Sequence, residues 1–276
     1  MLTTVVHPSI FPLGDAAITI DLGNHIDEQL NRMALTIREE LEALHLPGIK
    51  DIIVAYGSVS IFYDPVLVII HVGSSREGGA FGYMREKLES VWQKLSSPDF
   101  REPGGPRRSF DGMPANAGAL NGPRESIADQ AGEDRSHTIR IPVCYEREYG
   151  PDLDLLAGKK GLTRDEVIRL HTADAYRVYM IGFLPGFPYL GKVAPALEIP
   201  RKERPVPVVA GGVGIAGNQT GIYPLHSPGG WQIIGRTPLK LFDPSASVPV
   251  SIKVGDWVQF FPITQQEFRD FAARST

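Results

Sequence analysis

The feature that most constrains the fold is a stretch at residues 205–235 that contains no Asp, Glu, Lys or Arg. Its 31 residues include eight glycines and four prolines, a density that interrupts any helix. The same density excludes a membrane helix, because interrupted backbone hydrogen bonds would be left unsatisfied in lipid. The stretch therefore predicts short strands joined by tight turns, as in a small barrel or sandwich rather than in βαβ units.

The residues on either side extend this β-rich pattern. A strand is predicted at 138–143, and Thr163 with Glu166 three residues later forms a capping box for a short helix. A final amphipathic segment at 265–273 predicts a short C-terminal helix. We therefore predict a mostly-β domain, either a barrel or a sandwich, over residues 138–276.

The first half of the chain predicts a smaller α+β domain over residues 1–96. Apolar residues recur at helical spacing over 30–44, after Asp27 as N-cap, and again over 81–95. Four short runs are predicted to be strands, at 16–21, 51–56, 58–63 and 66–72. Because each helix has one apolar stripe, we expect the helices to pack on one face of a sheet.

Between these halves, residues 97–137 lose all periodicity. The segment holds six Gly and five Pro and few large apolar side chains. Such a composition buries too little apolar surface to offset the entropy of ordering. We predict a disordered insertion or linker.

Composition excludes several classes of function. The net charge of −4 and the pI of about 6.0 give no basic surplus for nucleic acid or anionic membranes. Cys144 is the sole cysteine, so no internal disulfide is possible, and no Cys/His cluster has zinc spacing. The first twenty residues lack a basic region followed by an apolar one, which predicts no signal peptide and a cytoplasmic location.

The glycine-rich stretch is the candidate site. Gly212 to Gly217 match G-x-G-x-x-G, but Gly221 and Pro224 follow at once, so no helix can receive a dinucleotide pyrophosphate and the Rossmann interpretation is excluded. The glycines could present backbone N–H groups to an anion, or could simply serve tight turns in a barrel. Arg236 ends the stretch and could bind a carboxylate or phosphate at two points.

Two histidines leave their roles open. His171 closes the predicted helix, where a protonated imidazole would be favoured by the helix dipole, and it could equally be a general base. His226 lies in a loop with the same alternatives. No pair of carboxylates stands out, so the residues alone predict a glycine-lined anion site and no further chemistry.

Six motifs in this order carry a resemblance: Gly182–Gly191, Gly214–Pro224, Ser227–Trp231, Ile234–Pro238, Leu241–Pro244 and Gly255-Asp256. The chain resembles the family called allophanate hydrolase subunit 1, which includes the B subunit of bacterial ATP-dependent 5-oxoprolinase and the kinase inhibitor KipI. The resemblance is specific over 138–262 and weaker over 1–96. It implies an α+β domain followed by a cyclophilin-like β-barrel. The chain departs from the family pattern at two nearby positions. Gly212 stands where the family commonly has serine, and Val209 stands where it commonly has proline.

The resemblance also implies a function. ATP would phosphorylate the amide oxygen of 5-oxoproline before the ring opens to glutamate, with the C and A subunits of 5-oxoprolinase as partners. ATP and Mg²⁺ are then expected, with the metal site completed by a partner and no metal ligand in this chain, which would be inactive alone. The candidate catalytic residues are Arg236, His171 and Gln219. The candidate cofactor-binding residues are Gly214, Gly217, Thr220, Gly229, Gly230 and Thr237.

Two alternatives accompany this interpretation. A KipI-like member would inhibit a sensor histidine kinase without catalysis, using Phe183, Phe187, Tyr189 and Trp231 as hydrophobic anchors. Core packing of those aromatic rings is the plainer explanation for at least two of them. A carboxyl-transfer or allophanate-hydrolysing role is suggested by the family name alone, because the chain lacks an amidase Ser-Ser-Lys arrangement and a biotin-attachment Met-Lys-Met.

Overall fold

The computed structural model describes residues 8–23, 25–73, 77–97 and 138–274. The strands are β1 (Ser9–Pro12), β2 (Ala17–Asp21), β3 (Ile49–Ala55), β4 (Ser58–Tyr63), β5 (Ile139–Cys144), β6 (Tyr176–Ile181), β7 (Pro188–Gly191), β8 (Val206–Val208), β9 (Gly212–Ala216), β10 (Gln219–Ile222), β11 (Ser227–Gly229), β12 (Gln232–Arg236) and β13 (Trp257–Ile263). The helices are α1 (Glu28–Ala43), α2 (Pro65–Val72), α3 (Gly79–Ser96), α4 (Leu153–Lys160), α5 (Arg164–Thr172) and α6 (Gln265–Arg274), with a short 3-10 helix at Pro195–Leu197.

The second half of the chain forms a closed barrel of seven strands. The order is β6-β13-β5-β12-β9-β10-β7, and β7 pairs again with β6 to close it. The barrel is mixed, since β13 and β5 run parallel while its other neighbours are antiparallel. Alternate residues of each strand fill the interior, among them Val143, Val178, Leu190, Val213, Ile215, Ile222 and Ile234, all without exposed surface. The mostly-β barrel prediction is confirmed.

The first half is an antiparallel sheet in the order β1-β2-β4-β3, covered by helices. The buried stripe of α1 is Leu30, Ala34, Ile37 and Leu41, at the predicted helical spacing. Asp27 caps this helix by accepting the Leu30 N–H at 3.0 Å. The α1 stripe shares one apolar core with α3 and the inner face of the sheet, so the α+β prediction is confirmed.

A buried asparagine joins the two halves. Asn31 has no exposed surface. Its Nδ2 donates to the carbonyls of Tyr56 (2.8 Å) and Tyr179 (3.2 Å), and its Oδ1 accepts from Nε of Arg177 at 3.1 Å. Next to it β3 pairs with β6, which makes the two sheets continuous. Three satisfied hydrogen bonds to a buried side chain give this junction one defined geometry.

The structure corrects one secondary-structure prediction and contains one helix that the sequence pattern did not predict. The apolar run 66–72, predicted to be a strand, is helix α2, because Asp64 accepts the N–H groups of Val66 and Leu67 and Pro65 occupies the first turn. Helix α4 has no counterpart among the predicted elements; it is short, buries three residues and ends at Gly161 with φ of +65°. The capping box of Thr163 and Glu166 is confirmed. The linker prediction over 97–137 lies outside the described residues except at Ser97, the C-cap of α3.

Within the described residues, every helix is too short or too polar to cross a bilayer.

Candidate functional site

The fold does not bring the three candidate catalytic residues together. Arg236 pairs with Gly212 at one end of β9, and Gln219 pairs with Ala216 at the other end. Four residues of strand separate those positions by about 13 Å. His171 lies on α5 with its ring in the interior of the protein. In this arrangement the three residues do not form one cluster, and a shared catalytic role for them stays a prediction.

His171 belongs to the packed interior. Its Nδ1 lies 2.8 Å from the hydroxyl of Tyr145, and its Nε2 lies 2.8 Å from Oγ1 of Thr220. Thr220 donates its one hydroxyl proton to the Gly214 carbonyl at 3.1 Å. It must therefore accept from Nε2–H, and Nδ1 must accept from Tyr145. The ring also stacks on Phe260 at 4.6 Å between centroids.

Burial determines the charge of this histidine. With no exposed surface, desolvation lowers the pKa of His171 from 6.5 to about 3. The imidazole is neutral at physiological pH, which disfavours the protonated helix cap, one of the two alternatives left open for this residue. Both ring nitrogens are engaged by protein groups, and the role of general base stays a prediction that would need the ring to become accessible.

Arg236 is held by its own domain. Its Nε donates to the Ala210 carbonyl at 2.8 Å, and its guanidinium carbon lies 5.6 Å from the ring centre of Phe268 on α6. The side chain is half-buried. These contacts are those of an arginine that attaches α6 to the barrel, and anion binding by Arg236 stays a prediction.

The glycines make room for aromatic side chains on the outer face of the barrel. A Cβ on Gly221 would lie 3.0 Å from both the Phe187 and Trp231 rings, and one on Gly229 would lie 2.4 Å from the Tyr223 hydroxyl. A Cβ on Gly214 would lie 3.1 Å from that of Trp231. At Gly221 and Gly229 the absence of a side chain therefore lets aromatic rings of the chain itself approach the backbone. At Gly212 a Cβ would lie 2.8 Å from a Val208 methyl. The side chain of Val208 thus fills the space that a serine at position 212 would occupy.

The other candidate cofactor residues have their backbone groups engaged. Gly217 exchanges two hydrogen bonds with Ile199, at 2.7 and 3.2 Å, and the Gly230 carbonyl accepts from Lys202 at 2.7 Å. Thr237 donates its N–H to Gly211 at 2.9 Å, and its hydroxyl accepts from Leu239 at 3.3 Å. The N–H groups of Gly217 and Thr237 are therefore not free to bind a phosphate in this arrangement. Nucleotide contacts by these residues stay a prediction.

The donor set decides whether Mg²⁺ could be held by this chain alone. The described part of the chain contains no group of three or more His, Cys, Asp or Glu side chains that could hold an ion. Mg²⁺ keeps several waters in most sites and binds one or two carboxylates together with substrate phosphates. The described residues therefore offer no preformed protein cage for the ion, and Mg²⁺ binding stays a prediction.

A polar cluster that sequence reasoning missed lies where the two halves meet, and we call it the junction cluster: Tyr56, Tyr189, Arg201 and Gln219. Tyr56 donates its hydroxyl to Oε1 of Gln219 at 3.1 Å, across 163 residues of sequence. The rings of Tyr56 and Tyr189 meet edge to face at 6.3 Å. Burial raises the pKa of both tyrosines, and the charge of Arg201 opposes that rise. The hydroxyls are thus protonated donors beside a guanidinium.

Taken together, the fold defines a class: a closed mixed barrel that shares one sheet with an α+β unit. The family model described as "Carboxyltransferase domain, subdomain C and D" matches residues 8–104 and 114–252. The chain belongs to this family.

Individual relatives agree with the resemblance carried by the motifs. The chain is 36% identical to the B subunit of 5-oxoprolinase from Bacillus subtilis (strain 168) over 273 residues, covering 98% of this chain and 99% of that protein. The crystal structure of TTHA0988 matches with TM-score 0.64 and 32% identity over 90% of this chain and 40% of that one. Urea carboxylase of Kluyveromyces lactis shares the fold, with TM-score 0.67 and 16% identity, covering 97% of this chain and 23% of that one.

Proposed function

We propose that this chain is one component of an ATP-dependent 5-oxoprolinase, which converts 5-oxo-L-proline, ATP and water to L-glutamate, ADP and phosphate. The observation that carries the proposal is the match to the B subunit of 5-oxoprolinase from Bacillus subtilis, which covers 98% of this chain and 99% of that protein. The match extends through both the α+β unit and the barrel, so it does not depend on the barrel motifs alone.

The site geometry supports a component that acts with partners. The described residues contain no group of three or more His, Cys, Asp or Glu side chains that could hold a metal ion, and aromatic rings fill the space beside Gly221 and Gly229. Phosphoryl transfer requires a metal and several donors around the transferring group. We therefore propose that the C subunit completes the phosphorylation site with the Mg²⁺ ligands, that the A subunit carries the ring opening, and that this chain is inactive alone.

Reconstitution tests the proposal. The chain is purified and assayed for 5-oxoproline-dependent ATP hydrolysis and for glutamate formation, alone and with the A and C subunits. We expect both activities in the complete mixture and neither from any mixture that lacks one component. Robust 5-oxoproline-dependent ATP hydrolysis by this chain alone, or a complete mixture that forms no glutamate, would contradict it. ATP hydrolysis without 5-oxoproline is the background to subtract.

Most of the aromatic residues proposed as anchors for a histidine kinase are not exposed. Of its four proposed anchors, Phe187 and Trp231 are buried at 1% and 4% exposure, and Tyr189 is half-buried. Phe183 is 63% exposed. A single exposed ring is less than the cluster of aromatic residues that anchors a protein interface, so the geometry favours the enzyme component.

A further inference from the structure

We propose that the junction cluster binds the carboxylate of a small, flat ring acid, with Arg201, Tyr56 and Gln219 as its polar ligands. Naming 5-oxoproline as that acid rests on the proposed function. The site itself rests on an unpaired buried amide donor, two half-buried tyrosine rings and an exposed guanidinium. Gln219, Tyr189 and Trp231 lie within the sequence motifs, whereas Tyr56 and Arg201 lie outside them.

The amide of Gln219 points to a missing acceptor. Its Oε1 accepts from Tyr56, but its Nε2 is buried and has no hydrogen-bond partner. Buried amide nitrogens are almost always paired, because an unpaired one forfeits its hydration without replacement. An oxygen of a bound ligand would supply the acceptor. Since Nε2 is covered in this arrangement, ligand entry requires a small rotation of Gln219 or Tyr56.

The charge of Arg201 is available for an anion. Among the described residues no carboxylate forms an ion pair with Arg201, whose guanidinium carbon lies 6.0 Å from the ring centre of Trp231. The next residue differs, since Lys202 is paired with Asp152 at 2.6 Å and both are largely buried. Arg201 is exposed. A guanidinium held over an aromatic face presents its planar fork to a carboxylate.

The rings beside these donors suit a flat molecule. Tyr189 lies edge to face with Trp231 at 5.8 Å and with Tyr56 at 6.3 Å. The half-buried rings of Tyr56 and Tyr189 offer apolar surface to a small planar ring, while Arg201 and the amide of Gln219 supply donors for its acid group. Arg201 is the charged residue of the junction cluster. Its positive charge favours an anion over an amine or a neutral amide.

The position of Tyr56 is imposed by the junction between the two halves. Its φ of +55° is left-handed, an uncommon and costly conformation for a tyrosine. Two contacts maintain it: Nδ2 of Asn31 donates to its carbonyl at 2.8 Å, and its N–H donates to the Tyr179 carbonyl at 3.1 Å. Backbone strain that persists under such constraint is common at ligand sites. The cluster is thus assembled from both halves and pre-organised by their contact.

Direct binding to the purified full chain tests the site. 5-Oxo-L-proline is titrated by calorimetry and by saturation-transfer NMR, with 2-pyrrolidinone as the same ring without a carboxylate. We expect saturable binding of the acid and at least tenfold weaker binding of the lactam. Arg201→Gln should weaken the binding of 5-oxo-L-proline at least tenfold, and Tyr56→Phe should weaken it several-fold. Arg204→Gln, an exposed arginine three residues away, should bind within twofold of wild type.

The outcomes separate the site from the proposed function. Absence of saturable binding, equal binding of the lactam, or an Arg201→Gln variant that binds like wild type overturns the site. If the reconstituted complex turns over 5-oxoproline with an unchanged KM in Arg201→Gln, the function stands and the site is wrong. If the chain binds the acid through Arg201 but the complete mixture forms no glutamate, the carboxylate site stands and the function is wrong. Unfolding curves confirm that each variant is folded.

Discussion

Nε2 of His171 and Oγ1 of Thr220 lie 2.8 Å apart in the interior of the protein, joined by a hydrogen bond across 49 residues of sequence. Both residues are candidates for ligand contact on sequence grounds. The structure shows that each satisfies the other, and that Thr220 donates its own proton to the Gly214 carbonyl. This pair belongs to a buried network whose first effect is on stability.

Thr220→Val should destabilise the protein. Valine keeps the volume but leaves Nε2–H of His171 unpaired, at a cost of about 1–3 kcal/mol in the free energy of unfolding. Thr220→Ser is the matched control, since it keeps the hydroxyl and loses one methyl, about 1 kcal/mol. Urea denaturation measures both variants. A valine variant as stable as the serine variant would contradict the network.

His171 should make stability depend on pH. Its pKa is about 3 in the folded protein and 6.5 when solvated, so the unfolded state binds the proton first as pH falls. The stabilisation is therefore complete above pH 6.5 and is lost as pH decreases toward 3. From pH 7.5 to 5.5 this group alone should remove about 1.4 kcal/mol. Urea denaturation at each pH measures the slope.

Two comparisons isolate this histidine. The His171→Gln variant should lose the part of the pH dependence of the unfolding free energy that His171 contributes. The His226→Asn variant, changed at an exposed histidine, should keep the wild-type pH dependence. In the wild-type protein, NMR of the His171 ring should show no protonation between pH 7.5 and 5. A ring that titrates near pH 6.5 would show that the histidine is accessible and would restore it as a candidate base.

Gly221→Ala should destabilise the outer face of the barrel. The new Cβ would lie 2.8 Å from the Pro188 carbonyl and 3.0 Å from two aromatic rings, and such overpacking costs about 1–3 kcal/mol. Gly158→Ala is the control, because that helical position has open space around it and should gain up to about 1 kcal/mol. Thermal and urea unfolding compare the two. Equal effects would mean that the rings can move aside.

Arg236→Lys should lower stability more than activity. Lysine has no Nε–H for the Ala210 carbonyl and no planar group over Phe268, so we expect a loss of about 1 kcal/mol. Turnover per folded molecule in the reconstituted complex should stay within twofold. A tenfold loss of turnover at an unchanged melting temperature would instead make Arg236 an anion ligand. Both quantities are measured on the same preparation.

The two-part architecture and the family could both be recognised from local sequence patterns. Helical spacing at Leu30 to Leu41, the capping box at Thr163 and the glycine–proline turns of 205–235 are local signals that neighbouring residues produce, so they could be recognised without a structure. Local chemistry also decided the one strand prediction that was wrong. The Asp64 cap and Pro65 outweighed the β-propensity of the apolar run after them.

The surroundings of the candidate residues, in contrast, follow from long-range contacts in the folded chain. Glycine spacing does not tell whether a ring or a ligand occupies the missing Cβ, because Trp231 and Phe187 reach Gly221 from other segments of the fold. The sequence likewise places Tyr56 and Gln219 in different halves, and their 3.1 Å hydrogen bond exists because the Asn31 junction docks one half on the other. Contacts between residues 163 positions apart depend on strand pairing and burial over the whole chain, which no local pattern encodes.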